Sequence, residues 1–190
     1  MKKIILTVFA ATSLLLYSTP SFAISLSVGV PMGQTITGVY TGSTYGNAVD
    51  KTSGYFLGVG FGSIGLGLDS YTTKFKTDGS DGSWGAQYDA GLKTNMTNIF
   101  YQLPVPVVNL IIGLGMGTTA YDCSVPDCDA AYDKGSATQW YTSIGLPLIP
   151  LFDIHLSYRS ITAKNIQLKA DKSKDDNSGS VTGVGIAFNF

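Results

Sequence analysis

The sequence predicts an all-β fold, an antiparallel barrel of eight strands that follow one another up and down. Three observations lead to this fold class. Apolar residues recur at every second position along most of the chain, which is the period of a strand. The segments between these runs alternate between long, charged stretches and short, uncharged ones. All 13 acidic residues are Asp, and Glu, which favours helices, does not occur.

The composition excludes several classes of protein. Only 13% of the 190 residues are charged, against about 25% in an average protein, whereas the 44% hydrophobic content is ordinary. Intrinsic disorder requires high charge and few aromatic residues, so it is excluded. A formal net charge of −1 argues against a nucleic-acid partner. The length fits a single domain.

Residues 1–23 are predicted to be a cleaved signal peptide. Two lysines precede the apolar run 4–17, and a small-x-small cleavage sequence follows at 21–23. The alternative is a membrane anchor, but the run is shorter than the ~20 residues that a spanning helix needs. We therefore expect residues 24–190 to form the barrel domain.

The second and third strands show the strand pattern most clearly. Leu57, Val59 and Phe61 alternate with small residues, and the alternation resumes at Ile64. The dipeptide 62–63, Gly-Ser, predicts a two-residue hairpin of type II′, in which Gly comes first. This turn places Phe61 opposite Ile64 on one face, so the turn and the apolar pattern agree.

The other strands repeat the same alternation. In the fifth strand, Leu110, Ile112 and Leu114 alternate with residues that include Gly113 and Gly115. The predicted strands cover residues 24–39, 53–62, 64–75, 86–101, 108–121, 136–146, 152–165 and 180–190.

The connections between strands are predicted to differ at the two ends of the barrel. Even strand number, short turns at one end and long loops at the other are typical of bacterial outer-membrane barrels. The long, polar connections cover 40–52, 76–85, 122–135 and 166–179, and the short ones cover 62–63, 102–107 and 147–151.

The apolar face could point inward or outward. A soluble eight-stranded barrel would bury it, but the opposite face carries mostly Gly, Ser, Thr and Ala instead of the charges of a soluble sheet. A membrane barrel turns the apolar face to lipid and places aromatic belts at both interfaces. The expected belts are Phe61, Phe100, Phe152, Phe188 and Phe190 at the short-turn end, and Tyr55, Tyr88, Trp140 and Tyr158 at the long-loop end.

The final residues, SVTGVGIAFNF, place Ile186, Phe188 and Phe190 at every second position. This pattern looks like the C-terminal signal by which the assembly machinery recognises outer-membrane barrels. The whole of 24–190 resembles the small OmpA/OmpX-type barrel superfamily. The resemblance implies an outer-membrane location, contact with lipid and lipopolysaccharide, and a monomer. We expect no cofactor, no metal and no enzymatic activity.

The alternation of inward and outward positions along each strand, called parity below, assigns a set of charged residues to the lumen. Eight strands leave an interior that side chains just fill, and buried charges must pair. We therefore expect an internal salt-bridge network; the alternative is a network that gates a narrow pore, with gaps left by glycines near Tyr71, Tyr101 and Tyr141. The predicted lumen charges are Asp69, Asp89, Lys93, Asp153, His155 and Arg159.

A second alternative is a lipid-modifying enzyme. His155 and Ser157 form a His-x-Ser sequence that is similar to the dyad of outer-membrane lipid A deacylases. A serine nucleophile needs a histidine base and a third, orienting group. Both residues are predicted to face the lumen, although a deacylase would present them to lipid, and the following residues do not continue that family's motif.

The long loops are expected to carry the role of the protein. Cys123 and Cys128 lie in one loop of a chain exposed to an oxidising compartment, which predicts a disulfide and not a metal site. The loop carboxylates could bind Ca²⁺, but their spacing matches no EF-hand, and solvated loops are expected. Loops on a rigid scaffold carry binding, so adhesion, immune evasion or envelope integrity is expected, with host surface molecules as partners.

Overall fold

A computed structural model describes residues 24–37, 49–75, 91–105, 108–122, 131–149, 151–164, 166–170 and 172–190. Eight long antiparallel strands close into a barrel, which confirms the predicted fold class. These are β1 (Ile24–Ile36), β2 (Val49–Phe61), β3 (Ile64–Phe75), β4 (Gly91–Pro104), β5 (Asn109–Asp122), β7 (Gly135–Ile149), β8 (Phe152–Thr162) and β11 (Gly179–Asn189). Three short strands lie between them: β6 (Tyr132–Asp133), β9 (Ile166–Leu168) and β10 (Lys174–Asp175).

Each long strand pairs with the next long strand along the chain, and the first and last strands close the barrel. Ser25 lies opposite Asn189 in the β1–β11 pair. At the end of this strand pair, the amide of Ile24 donates to the carbonyl of Phe190 at 3.0 Å, and the amide of Phe190 donates to the carbonyl of Ile24 at 2.9 Å. Within the described residues, no helix is long and apolar enough to cross a membrane. The predicted signal peptide, residues 1–23, lies outside the described residues.

The hairpin between β2 and β3 has the predicted turn. Gly62, the first turn residue, has a φ of 61°. Ser63, the second turn residue, does not have a positive φ, since Lys172 is the only non-glycine residue of the described ranges that does. A positive φ at the first turn residue alone is the signature of type II′. Phe61 lies opposite Ile64, as predicted.

Apolar side chains cover the outer face of the barrel, and small, polar and some large aromatic or aliphatic side chains point inward. Along β3, for example, Leu66 and Leu68 are 65% and 54% exposed, whereas Gly67 and Asp69 are buried. The outer face carries aromatic residues near both ends. Phe61, Tyr101, Phe188 and Phe190 lie at the short-turn end, and Tyr55, Trp140 and Tyr158 lie at the long-loop end.

The predicted orientation of β4 is wrong. Phe100 is buried in the lumen and Tyr101 is 49% exposed, the reverse of the expectation, and Lys93 is exposed on the outer face. Both faces of this strand carry large apolar residues, so hydrophobic alternation cannot choose between them. The strand register determines which face of β4 points inward. Phe100 lies opposite Gly65, whose missing side chain leaves room for the ring.

The third and fourth long loops form a structure that the sequence pattern did not predict. Strands β6, β9 and β10 make a separate antiparallel sheet, in which Tyr132 lies opposite Leu168 and Asp175 lies opposite Ile166. Strands of two or three residues are too short to show a period of two. This sheet, called the loop sheet below, joins the third and fourth long loops.

The wall of the barrel is incomplete between β1 and β2. Their pairing runs only from Ile24 opposite Phe61 to Gly29 opposite Phe56. Above this level β1 follows β11 through a bulge between Pro31 and Gly33, while β2 follows β3. The two strands therefore diverge toward the long-loop end and leave a groove.

Candidate functional site

The centre of the lumen holds a buried ion pair between opposite walls of the barrel. The Nε of Arg159 on β8 lies 3.0 Å from Oδ2 of Asp69 on β3, and its Nη2 lies 3.4 Å from Oδ1. Arg159 is 5% exposed and Asp69 is 3% exposed. The two-point contact uses the fork geometry of the guanidinium, which gives buried arginine–carboxylate pairs their strength.

Aromatic rings enclose the guanidinium on its open faces. The Cζ of Arg159 lies 3.5 Å from the ring centre of Phe56 and 4.9 Å from that of Tyr141. A cation over a ring face is attracted by the ring quadrupole, more strongly where water is excluded. Nη1 also donates to the Ser157 hydroxyl at 2.6 Å. The arginine side chain is therefore held from several sides.

Gln139 extends this network to β4. Its amide nitrogen donates to Oδ2 of Asp69 at 2.6 Å and to Oδ1 of Asn98 at 2.5 Å. Residues on β3, β4, β7 and β8 thus share one hydrogen-bonded cluster. We call Asp69, Asn98, Gln139, Ser157 and Arg159 the central network.

A second polar cluster lies near the short-turn end. Asp153 accepts hydrogen bonds from the side-chain amides of Asn109 and of Asn189, the latter at 2.6 Å. The Nε2 of His155 lies 3.8 Å from the same carboxylate, and its Nδ1 lies 3.2 Å from the Ser143 hydroxyl. Asp153 is 2% exposed, so these amides replace the water that a carboxylate otherwise requires.

The long-loop end of the lumen is filled with apolar side chains. Phe75, Leu92, Tyr121 and Ile166 pack together there, with Ile36 and Tyr132 against them. Ile166 belongs to β9, so the loop sheet supplies part of this plug. The Tyr121 hydroxyl donates to Oδ2 of Asp175 at 3.0 Å, which ties β10 to the barrel.

Little space remains between these layers. A cavity of about 60 Å³, lined in part by Ser27, Gly58, His155 and Arg159, lies beside the central network. Such a volume holds only a few water molecules. A cavity of this size is too small to form a channel by itself.

The structure brings four of the six predicted lumen charges into the lumen. Asp69 and Arg159 pair directly, whereas Asp153 and His155 lie in the second cluster. Lys93 is on the outer face. Asp89 lies outside the described residues, as do Cys123 and Cys128, so their disulfide stays a prediction.

Parity could not identify the uncharged members of these clusters. Gln139, Asn109 and Asn189 donate hydrogen bonds in these clusters and Asn98 accepts one, but an amide on an inward position has no distinctive sequence signal. His155 and Ser157 both face the lumen, yet His155 contacts Ser143, while Ser157 accepts from Arg159 and donates to the Gly183 carbonyl at 3.3 Å. No group of three or more metal-ligating side chains occurs within the described ranges.

Three solved structures of outer-membrane proteins resemble this chain over most of its length. Neisserial surface protein A superposes with a TM-score of 0.59 at 11% identity, over 90% of this chain and 98% of that one. Escherichia coli outer membrane protein W gives 0.52 at 14%, over 88% and 97%. Yersinia pestis outer membrane protein Ail gives 0.52 at 15%, over 90% and 100%.

No protein-family model matches the sequence, and no curated protein sequence matches it either. At the identities found, the structural likeness is a likeness of fold. The chain thus has the fold of the small eight-stranded outer-membrane β-barrels.

Proposed function

We propose that this chain is a closed outer-membrane barrel that presents its long loops to molecules outside the cell. The observation that carries the proposal is the plug at the long-loop end, where Ile166 of the loop sheet packs on Phe75, Leu92 and Tyr121 of the barrel. Loops that are held by such packing keep one shape, and a partner then binds with less loss of loop entropy. Adhesion, immune evasion and envelope integrity all need a surface of this kind.

The charges of the loop sheet suit a polar partner. Lys169 lies 3.7 Å from Asp133, and both side chains are well exposed. Lys172 and Lys174 are also exposed, while Asp175 is buried. Among the described residues of the loop sheet and its turn, the exposed charges are mainly cationic, which favours host surface molecules or lipopolysaccharide that carry negative charge.

A narrow pore is the weaker candidate. The guanidinium of Arg159 occupies the lumen centre between Phe56 and Tyr141, and the apolar plug lies above it. We expect the refolded protein to show no single-channel conductance in planar bilayers. A stable, protein-dependent conductance would favour the pore instead.

A lipid A-modifying activity has less support. Ser157 contacts Arg159 and is buried on the lumen side of β8, whereas a deacylase would present its serine to lipid. We expect wild-type protein to leave lipid A acylated. Deacylation of lipid A that disappears in Ser157→Ala would support the enzymatic function instead.

The binding role is tested with a loop variant. Residues 169–173, which connect β9 and β10, are replaced by a Gly-Ser linker, and wild type and variant are screened against matrix proteins and lipopolysaccharide. We expect a partner that binds wild type and loses affinity for the variant. Heat-modifiable gel migration shows that both barrels are folded. Equal binding by both proteins, or no binding by either, would contradict the proposal for this loop.

We propose that the assembly machinery recognises the barrel by its C-terminal strand. Phe188 and Phe190 are exposed on the outer face at the short-turn end, where a recognition factor could reach them before the barrel closes.

A further inference from the structure

The polar cluster at the short-turn end of the lumen contains a buried ring nitrogen without a partner. His155 is 7% exposed, and its Nε2 has no hydrogen-bond partner within the described residues. The carboxylate of Asp153 lies near it, with Oδ2 at 3.8 Å from Nε2. A hydrogen bond between these atoms needs about 2.7–3.2 Å, so the gap is too wide for one. A buried polar atom without a partner is costly, unless something lies between it and the carboxylate.

The gap has a width that a bridging metal ion can span. Zn²⁺ lies about 2.0–2.1 Å from a histidine nitrogen and about 2.0–2.2 Å from a carboxylate oxygen. Two such ligand atoms are about 3.4 Å apart in a regular tetrahedral site, and about 4.3 Å apart when they stand on opposite sides of the ion. The 3.8 Å between Nε2 of His155 and Oδ2 of Asp153 lies between these limits. An ion placed in the gap can therefore contact both groups.

The imidazole ring is held in the orientation that a metal ligand needs. Its Nδ1 lies 3.2 Å from the Ser143 hydroxyl. When the hydrogen is on Nδ1 and is donated to this hydroxyl, Nε2 carries the lone pair that binds a metal. Gly145 lies directly opposite His155, and a Cβ at Gly145 would overlap the ring. Metal-binding histidines are usually oriented by such a contact through their other nitrogen.

Two side-chain amides hold the carboxylate of Asp153. Asn109 and Asn189 both donate to Oδ2, the latter at 2.6 Å. Carboxylates that bind a metal are hydrogen-bonded in the same way. A half-turn of either amide presents its oxygen in place of its nitrogen, so one of the two can also supply a third ligand.

The charges of the lumen favour a cation at this place. Arg159 is the only lysine or arginine of the described residues that is buried in the lumen, and it is paired with Asp69. Asp153 is 2% exposed, and the amides that donate to it carry no charge. Within the described chain, this buried carboxylate therefore has no lysine or arginine to balance it, and unbalanced buried charge is costly.

The cluster lies at the short-turn mouth of the barrel, from which an ion can enter. Asn109 is the first residue of β5, Asn189 is the last of β11, and Asp153 is the second of β8. Both asparagines are partly exposed. On the lumen side, Ser143 and His155 line the cavity of about 60 Å³, which can hold water molecules that complete the shell of an ion.

We propose that the short-turn mouth of the barrel binds one divalent transition-metal ion of the Zn²⁺ class. Nε2 of His155 and the carboxylate of Asp153 bind it directly. An amide oxygen of Asn109 or Asn189 is the third ligand, and water completes the shell. Imidazole together with carboxylate suits Zn²⁺, whereas Mg²⁺ and Ca²⁺ prefer oxygen ligands alone.

This assignment departs from the sequence-based expectation of no metal. An Asp-x-His pair on one strand matches no metal motif, and only the fold brings the amides of β5 and β11 to it. The proposal is independent of the loop function proposed above, because no residue of the loop sheet takes part.

The single histidine of the chain gives the test a site-specific signal. Tag-free full protein is refolded in zwitterionic micelles at neutral pH, in a Cys123→Ser/Cys128→Ser background that removes the only two thiols. Zn²⁺ and, separately, Mg²⁺ are titrated in, and both imidazole nitrogens are followed by NMR. We expect saturation at one Zn²⁺ per barrel with a large shift of the Nε2 signal, and no such shift with Mg²⁺. An Nε2 signal that does not respond to Zn²⁺, or that responds equally to Mg²⁺, would overturn the proposal.

The ligands are tested by calorimetric titration of Zn²⁺ into variants. Loss of a second-shell partner lowers metal affinity about 10–100-fold, which is the range expected for Ser143→Ala. Loss of a direct ligand costs more, so Asp153→Asn should lose over ~100-fold. The matched control, Asp133→Asn, removes an exposed carboxylate from the loop sheet and should keep the wild-type affinity.

Heat-modifiable gel migration shows whether each variant barrel is folded. Wild-type affinity in folded Asp153→Asn, or equal losses in Asp153→Asn and Asp133→Asn, would contradict the site. If Asp153→Asn does not fold, the NMR titration of the unchanged site decides the question alone.

Discussion

Arg159 and Asp69 lie 90 positions apart in the sequence, yet their side chains meet in the centre of the barrel, with Nε 3.0 Å from Oδ2. Their strands, β8 and β3, are four places apart in the ring of eight, so they stand on opposite walls. The pair therefore connects the barrel across its diameter, in addition to the hydrogen bonds around its circumference. The stability of the closed state should depend on it.

We expect Arg159→Met to destabilise the barrel strongly. It leaves the buried carboxylate of Asp69 without its cation, and breaking one side of a buried pair costs about 3–5 kcal/mol. The free energy of unfolding is measured by denaturant titration of the protein in lipid vesicles. The double variant Arg159→Met/Asp69→Leu should regain most of this loss, because no unpaired charge remains.

The exposed pair between Lys169 and Asp133 is the matched control for this experiment. Their charged atoms lie 3.7 Å apart, but both side chains are about half exposed. Lys169→Gln should change the free energy of unfolding by less than about 1 kcal/mol. Similar effects of the buried and the exposed substitution would show that the central pair has no special role.

Gly65 is expected to be necessary for the packing of Phe100. A Cβ added at Gly65 would overlap the Phe100 ring, which lies directly opposite. Gly65→Ala should therefore destabilise the barrel by about 1–3 kcal/mol, as overpacking does. The measurement is the same denaturant titration.

Gly33→Ala is the control, since a Cβ at Gly33 meets nothing within 4 Å. Gly65→Ala combined with Phe100→Leu should recover part of the lost stability. If Gly65→Ala and Gly33→Ala behave alike, the ring of Phe100 does not depend on the glycine.

The number, order and approximate bounds of the barrel strands follow from the sequence, because lipid on one face and a narrow lumen on the other impose the alternation directly. The orientation of β4 does not follow, since Leu92, Met96 and Phe100 make its inner face as apolar as its outer face. Parity also assigns Asp69 and Arg159 to the lumen without pairing them. Which side chains meet across the lumen depends on the register of all eight strands around the ring. No local sequence pattern determines that register.

The outward position of Lys93 can be tested by chemical labelling. In a Cys123→Ser/Cys128→Ser background, Lys93→Cys should react with a water-soluble maleimide, because this position is exposed on the outer face. Leu92→Cys should stay unlabelled in the folded barrel, since Leu92 is 1% exposed. Both should react after denaturation. The reverse labelling pattern in the folded state would support the orientation of β4 that the sequence predicts, with Lys93 in the lumen.

The final prediction concerns the attachment of the loop sheet. The Tyr121 hydroxyl donates to Asp175 at 3.0 Å, and the two residues are 8% and 2% exposed. Tyr121→Phe removes that donor and leaves the packing of the ring. Loss of a hydrogen bond to a buried carboxylate costs about 1–3 kcal/mol, so local opening of the loop sheet should become roughly five- to 150-fold more frequent.

Hydrogen exchange detects this opening. The amide of Leu168, which donates to the Ser173 carbonyl at 3.0 Å, should exchange faster in Tyr121→Phe, while amides of the β2–β3 pair should keep their rates. Tyr158→Phe, which removes a hydroxyl from a 41% exposed tyrosine of the outer belt, serves as the control and should change neither set. Faster exchange throughout the barrel would mean a global loss of stability. Unchanged exchange at Leu168 would mean that the bond to Asp175 does not hold the loop sheet on the barrel.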